Sequence, residues 1–337
     1  MRVALLGATG LVGREMLLTL EQRKFPVRDL LPLASPRSAG QMTSFAGEDL
    51  KVREVRAELF DGVDIAIFSA GGDASRRWAP EAAKRGAVVV DNSSAWRMDP
   101  EVPLVVPEVN PEAAGFHKGI IANPNCATIQ AVVALKPLHD AAGLTGFSAV
   151  TFQSVSGTGK AALEELSANS LARLEGGRSK TKVYPHDIAF NVIPQIGGID
   201  GDGVSEEEWK MVRESKKILS LPEIQVNCTA ARVPVFRGHS EAVTALFEKD
   251  LSPADARRIL EAAPGVVVID EPGSDAYPTA RDAEGRDGVY VGRIRRCTGG
   301  PGLMMWIVSD NLRKGAALNA VQIAELLVSK NGRNKMV

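Results

Sequence analysis

Arg2-Val3-Ala4-Leu5-Leu6-Gly7-Ala8-Thr9-Gly10-Leu11-Val12-Gly13 is the stretch that decides the fold. A short apolar run leads into glycines spaced GxxGxxG, and then into a segment, Arg14 to Gln22, with apolar residues at Met16, Leu17 and Leu20. Strand, glycine turn and helix in that order predict the first unit of a doubly wound parallel sheet, whose helix N-terminus holds a pyrophosphate. The spacing is a variant of the GxGxxG dinucleotide fingerprint, so its weight comes from the strand before it and the helix after it. Gly7, Thr9, Gly10, Leu11, Val12 and Gly13 are the candidate cofactor-binding residues of the turn.

Working outward, a second strand over Asp29–Ala34 ends in Ser35-Pro36-Arg37-Ser38-Ala39-Gly40. An NAD site usually offers an acid there; a guanidinium flanked by the hydroxyls of Ser35 and Ser38 suits the 2′-phosphate of NADP instead. Asp64 to Gly72 reads as another buried strand ending in small residues, followed by a helix from Ala74 to Arg85, which places Ser69 and Gly71 along the cofactor. Ala87 to Val90 makes the next strand, and its polar end brings Arg97 toward the same crevice. Beyond Thr145 the pattern changes. Gly146–Gln153, Val226–Val235, Glu241–Phe247 and Val289–Arg295 are longer runs with partial alternation, which predict a second, mostly antiparallel domain. The expected fold class is therefore α/β: a Rossmann-type doubly wound sheet over 1–125 and an α+β domain over 126–311. A final helix over 312–330, apolar at Ala317, Leu318, Val321, Ile323, Ala324 and Leu327, is expected to rejoin the first domain, with Ser329 to Val337 fraying.

A chain of 337 residues is long enough for two cores. Forty basic against 41 acidic residues point to neither nucleic acid nor membrane. The 3 cysteines, Cys126, Cys228 and Cys297, are widely spaced with no CxxC pair, which argues against a disulfide framework or a zinc site and for a reducing, cytoplasmic setting. The apolar N-terminus is broken early by glycines and has no small-residue cleavage site, so no signal peptide is expected. No stretch is apolar enough to span a bilayer.

Ile120 to Gln130 puts Cys126 between a short apolar strand and the periodic segment Ala127–Ala142. A thiol at a helix N-terminus meets unpaired N–H groups and the positive end of the helix dipole, a setting that favours the nucleophilic thiolate. A buried, inert thiol is the competing reading of this stretch taken alone. Ser154 to Lys160 lacks the glycine and hydroxyl positions of a phosphate-binding P-loop, so no NTPase is expected. Ser205 and Glu208 form a capping box that starts a helix and explains the Glu206-Glu207-Glu208 run structurally. Arg232 and His239, on either side of Pro234-Val235-Phe236-Arg237-Gly238, place a strand arginine and a turn histidine at one site if the glycine marks a turn. His117, His139 and His186 read as structural.

With the glycine turn, Ser35-Pro36-Arg37-Ser38, Asn125-Cys126, Gln153-Ser154-Val155-Ser156-Gly157, Glu207-Glu208-Trp209-Lys210 and the Arg232/His239 pair in order, the chain resembles the bacterial aspartate-β-semialdehyde dehydrogenase family from the first strand to the last helix. The resemblance implies NADPH-dependent reduction of L-aspartyl-4-phosphate to the semialdehyde through a Cys126 thioester. It implies His239 as general acid/base, Gln153 at the acyl group, Asn125 among the substrate-binding residues, Arg232 on the substrate carboxylate, Glu207 in preference to its neighbour Glu208 on the amine, and Arg97 with Lys210 on phosphate. Ser156, Gly157 and Asn311 join the NADP residues, no metal is needed, and the second domain becomes catalytic and dimer-forming in a homodimer. The related N-acetyl-γ-glutamyl-phosphate reductases share this thiol and imidazole chemistry, and a non-catalytic NADP-binding regulator is the alternative of another class.

Overall fold

The computed structural model describes residues 1–178 and 180–333, which divide into two compact units. Unit 1 comprises Met1–Pro124 and Ala316–Val337, and unit 2 comprises Asn125–Gly315.

Unit 1 runs β1 (Arg2–Leu6), α1 (Leu11–Gln22), β2 (Asp29–Ala34), β3 (Met42–Phe45), β4 (Glu48–Lys51), β5 (Arg53–Glu54), β6 (Ile65–Phe68), α2 (Gly72–Lys84), β7 (Val88–Asp91) and β8 (Ile120–Ala122). Its main sheet has the order β5-β2-β1-β6-β7-β8 with every pair parallel. β1 and β6 are buried almost throughout, as near-continuous apolar runs must be when both faces of a sheet are covered. They adjoin at the point where the strand order reverses, which is where doubly wound sheets bind their ligands. β3 and β4 form a separate antiparallel hairpin that the sequence reading did not anticipate.

Unit 2 contains α3 (Cys126–Ala142), β9 (Leu144–Gln153), α4 (Lys160–Leu174), α5 (Glu206–Leu219), β10 (Gln225–Arg232), β11 (His239–Phe247), α6 (Pro253–Glu261), β12 (Val266–Val268), α7 (Ala280–Ala283), β13 (Val289–Arg296) and β14 (Leu303–Ser309). Its sheet has the order β10-β9-β11-β14-β13-β12, with antiparallel pairs in the middle and a parallel pair at each edge. α3 lies across the central strands and α5 across β10. The strands alternate, so Ala149, Thr151, Gln153, Val243, Met305 and Ile307 are buried on the helix-covered face. α3 is buried on nearly every side, which accounts for its almost uninterrupted apolar sequence.

The chain returns to unit 1 through a π-helical turn, Arg313–Ala317, and α8 (Leu318–Arg333). One continuous helix was expected over this stretch; the wider turn intervenes and carries Gly315, where a Cβ would lie 2.7 Å from that of Cys126. Ala320, Val321 and Ala324 enter the core with Leu5, Met16 and Ile67, and Arg23 holds Glu325 through two hydrogen bonds of 2.7 Å. The tail expected to fray from Ser329 is helical to Arg333, and its remainder lies outside the described residues.

Candidate active site

Asn125 caps α3. Its Oδ1 accepts from the backbone N–H groups of Ala127 and Thr128 at 3.0 and 3.2 Å, which fixes the first turn and makes Cys126 its first residue. Two acids from α5 hold the cap: Asn125 Nδ2 donates to Glu207 Oε1 at 2.7 Å, and the Asn125 backbone N–H donates to Glu214 Oε2 at 2.6 Å. Glu207, Lys210 and Glu214 lie at i, i+3 and i+7 and therefore on one face of α5. Lys210 Nζ donates to the second oxygen, Oε2, of Glu207 at 2.8 Å. Burial pushes the Glu207 carboxyl up, but Lys210, Asn125 and Arg232 together outweigh it and hold the group below the usual carboxylate range.

Sheet register assembles the other side chains. Arg232 pairs with Gln153 across β10 and β9, and His239 pairs with Ser309 across β11 and β14. Ser240 pairs with Phe152, so Gln153 and His239 end the same row of the helix-covered face. Arg232 Nη1 donates to the Ser154 carbonyl at 2.8 Å, and its Nε has no partner among the described residues. Gly157 closes the corner: a Cβ there would lie 3.2 Å from Arg232 Nη1 and 3.5 Å from His239 Nε2.

His239 is the first residue of β11 and is fully buried, rather than standing in the turn that the sequence suggested; the turn ends at Gly238, whose φ is +89°. The Ser154 backbone N–H donates to His239 Nδ1 at 3.1 Å. That acceptor role requires a lone pair on Nδ1, so the neutral ring carries its proton on Nε2, which has no partner among the described residues. Burial and the Arg232 charge push the imidazole down to about 3, with Glu207 opposing them only in part.

Three of the residues singled out from the sequence make structural contacts among the described residues. Glu208 is the capping acid: one oxygen accepts from the Ser205 N–H and the other from the Ala230 N–H, so Glu207 alone of the two is placed beside Asn125. Asn125 spends its side chain on the helix cap and Glu207. Asn311, expected to contact cofactor, ties loops together, its Oδ1 accepting from Gly238 N–H, Ser154 Oγ and Ser156 Oγ at 3.0, 3.1 and 3.2 Å. Gln153 is buried and bonds Thr151 Oγ1 at 3.3 Å. Glu214 and Gly315 were missed; the i+7 spacing from Glu207 was the available signal for the first.

In unit 1, a cleft of about 880 Å³ is lined by Gly7, Thr9, Gly10, Ser35, Arg37, Ser38, Ser69 and Gly71, among others. The glycines are sterically required: with φ +93°, a Cβ on Gly7 would lie 2.3 Å from the Ser69 carbonyl oxygen, and one on Gly13 would lie 2.1 Å from that of Gly7. Gly10 and Gly71 cap α1 and α2 without side-chain hydrogen bonds, which leaves first-turn N–H groups available to an anion. Leu11 and Val12 open α1. Arg97 is buried, donating to the carbonyls of Asn123 and Asn92 at 2.9 and 3.0 Å.

A nucleotide-type parallel sheet, followed in the same chain by a thiol at a capped helix N-terminus and a buried neutral imidazole, defines the class as a nucleotide-dependent dehydrogenase. Residues 2–116 match the family described as semialdehyde dehydrogenase, NAD binding domain, and residues 135–314 the semialdehyde dehydrogenase dimerisation domain. Aspartate-semialdehyde dehydrogenase from Aquifex aeolicus is 54% identical over 334 residues, 98% of each chain, and that from Bacillus subtilis is 47% identical over 340 residues. The crystal structure of aspartate semialdehyde dehydrogenase II complexed with ASA from Vibrio cholerae superposes with a TM-score of 0.94 at 48% identity, over 97% of this chain and 98% of that one. The Candida albicans enzyme with NADP does so at 0.75 and 27% identity, over 98% and 99%. The chain belongs to the aspartate-semialdehyde dehydrogenase family.

Proposed function

We propose that the chain reduces L-aspartyl-4-phosphate to L-aspartate-4-semialdehyde, with release of phosphate, through a thioester on Cys126. The observation that carries this reading is a polar face of unit 2, where the Glu207 carboxylate, the Arg232 guanidinium and the neutral His239 imidazole accompany the thiol. An amino acid substrate offers a carboxylate to the planar Arg232 fork and an ammonium to Glu207. A substrate with an acylated amine would offer Glu207 no second cation beside Lys210, which disfavours the N-acetyl-γ-glutamyl alternative. In the forward reaction Cys126 Sγ attacks the acyl carbon, the bond to the phosphate oxygen breaks, and Lys210 and Arg97 are assigned to the departing phosphate. NADPH, when bound, supplies the hydride. His239 Nε2–H then hydrogen-bonds the oxygen that gains charge, and the ring manages that proton as the thiohemiacetal forms and collapses. Gln153 orients the acyl group.

Gly7 to Gly13 and the α1 terminus suit the pyrophosphate, and Arg37 with Ser35 and Ser38 suits a 2′-phosphate, so NADP is the cofactor this reading assigns. The outer face of the unit 2 sheet exposes Val150 and pairs Phe152 with Trp306 at 5.6 Å between ring centroids, an apolar surface we assign to a homodimer. Among the described residues no helix is long and apolar enough to cross a membrane, and a cytoplasmic setting fits an enzyme that needs a free thiol. The test is NADP+ reduction by aspartate semialdehyde with and without phosphate: phosphate-dependent NADPH formation is expected, and equal rates in its absence would reject the reading.

A further inference from the structure

Glu241 stands on β11 two residues past His239, so both side chains point to the helix-covered face, about 7 Å apart along the strand. It is fully buried, and neither carboxyl oxygen has a hydrogen-bond partner among the described residues. Its cross-strand neighbours, Thr151 on β9 and Ile307 on β14, do not ionise. From α3 it faces Gln130, one turn after Cys126 and thus on the Cys126 side of the helix. Gln130 Oε1 accepts from Ser309 Oγ at 2.6 Å, yet its Nε2 closes no hydrogen bond among the described residues, although it is near enough to Glu241 to favour the ionised carboxyl. β10 adds Cys228 and Arg232 to this layer and α5 adds Glu207, Glu208 and Glu214; of these, Cys228 is pushed up by its burial first and then by the Glu241 charge. Val243 and Ala245 continue the same face of β11, so an apolar side chain would fit the pattern, and an unpartnered carboxyl there is costly.

We propose that Glu241 is a positioning residue for Cys126, a buried carboxyl that stays neutral while the enzyme works and, once ionised, opposes formation of the Cys126 thiolate. Burial pushes the carboxyl up to about 8, which puts this change at the alkaline edge of the working range. The role rests on Cys126 being the nucleophile, and its effect is an alkaline limit to catalysis set from beneath the site.

The experiment follows alkylation of Cys126 by iodoacetamide against pH, read by mass spectrometry of the Cys126 peptide, in full-length wild type, E241Q and E241L. Steady-state kcat/KM for semialdehyde oxidation is recorded over the same range. With the charge removed, the Cys126 curve is expected to move to lower pH by about one unit, and the alkaline limb of kcat/KM to higher pH by about as much. E241L carries the same expectation if E241Q does not fold. The wild type by itself is expected to give an alkylation curve broader than a single ionisation. Coincident curves in a folded variant, or a wild-type curve fitted by one ionisation, overturn the proposal. Alkylation needs no turnover, so this result stays readable even if the aspartyl phosphate reading fails.

Discussion

The glycine turn after β1 and the polar row across the unit 2 sheet prepare for charged groups in opposite ways. The turn works with backbone: Gly7 and Gly13 have no room for a Cβ, and the helix that follows presents unpaired N–H groups. The row works with side chains from distant elements, each fixed by a second contact, as Ser154 fixes both Arg232 and His239. A backbone site tolerates changes that keep the path of the chain. A side-chain site depends on every partner.

Replacing Cys126 with Ala gives the largest expected effect: turnover falls by about a thousandfold or more, because the proposed acyl transfer loses its nucleophile, while NADPH titration by fluorescence is little changed. Weakened NADPH binding by that variant would break the separation between the two regions. Next come two glycines. Gly7→Ala is expected to raise the NADPH Kd by about tenfold or more, since both its φ of +93° and the Ser69 contact oppose a Cβ. Gly315→Ala, pressed at 2.7 Å against Cys126, should lower kcat by about tenfold and leave NADPH affinity in place. Arg37→Ala should reduce the preference for NADPH over NADH by about tenfold, measured as the ratio of kcat/KM values. The smallest effects sharpen the assignment of the two glutamates. Glu208→Gln should cost about 1 kcal/mol in thermal unfolding with KM for the semialdehyde nearly unchanged, whereas Glu207→Gln should raise that KM by about tenfold.

The pH response of stability distinguishes Glu241 from the catalytic face. Its folded value of about 8 lies above the ordinary 4.5, so its stabilising contribution is complete below pH 4.5 and is lost as pH rises to about 8. E241Q lacks this dependence, so its unfolding temperature relative to wild type is expected to climb between pH 5 and pH 8.

The turn was legible because every interaction that defines it lies within Arg2 to Gly13. The helix cap at Asn125 and the capping box at Ser205 were legible for the same reason. That Glu207 meets Asn125 while Glu208 meets Ala230 was not, since adjacent helical residues point about 100° apart and only the docking of α5 on β10 and α3 sets their partners. His239 was read as a turn residue because Gly238 precedes it, and the pairing of β11 with β14 moved it into the sheet. The role of Asn311 in tying the loops around Ser154, Ser156 and Gly238 was not legible, because its bonding partners lie far from it in the chain.

What the sequence determined by itself is the local chemistry: a dinucleotide turn, an arginine in place of an acid after β2, and a cysteine at the start of a buried helix. Only the tertiary structure decided which side chains share a face, because residues from Cys126 to Gly315 meet through strand register and helix docking. It alone assigned the His239 proton to Nε2 and left Glu241 without a hydrogen-bond partner among the described residues, since both follow from burial and hydrogen bonds between segments far apart in the chain.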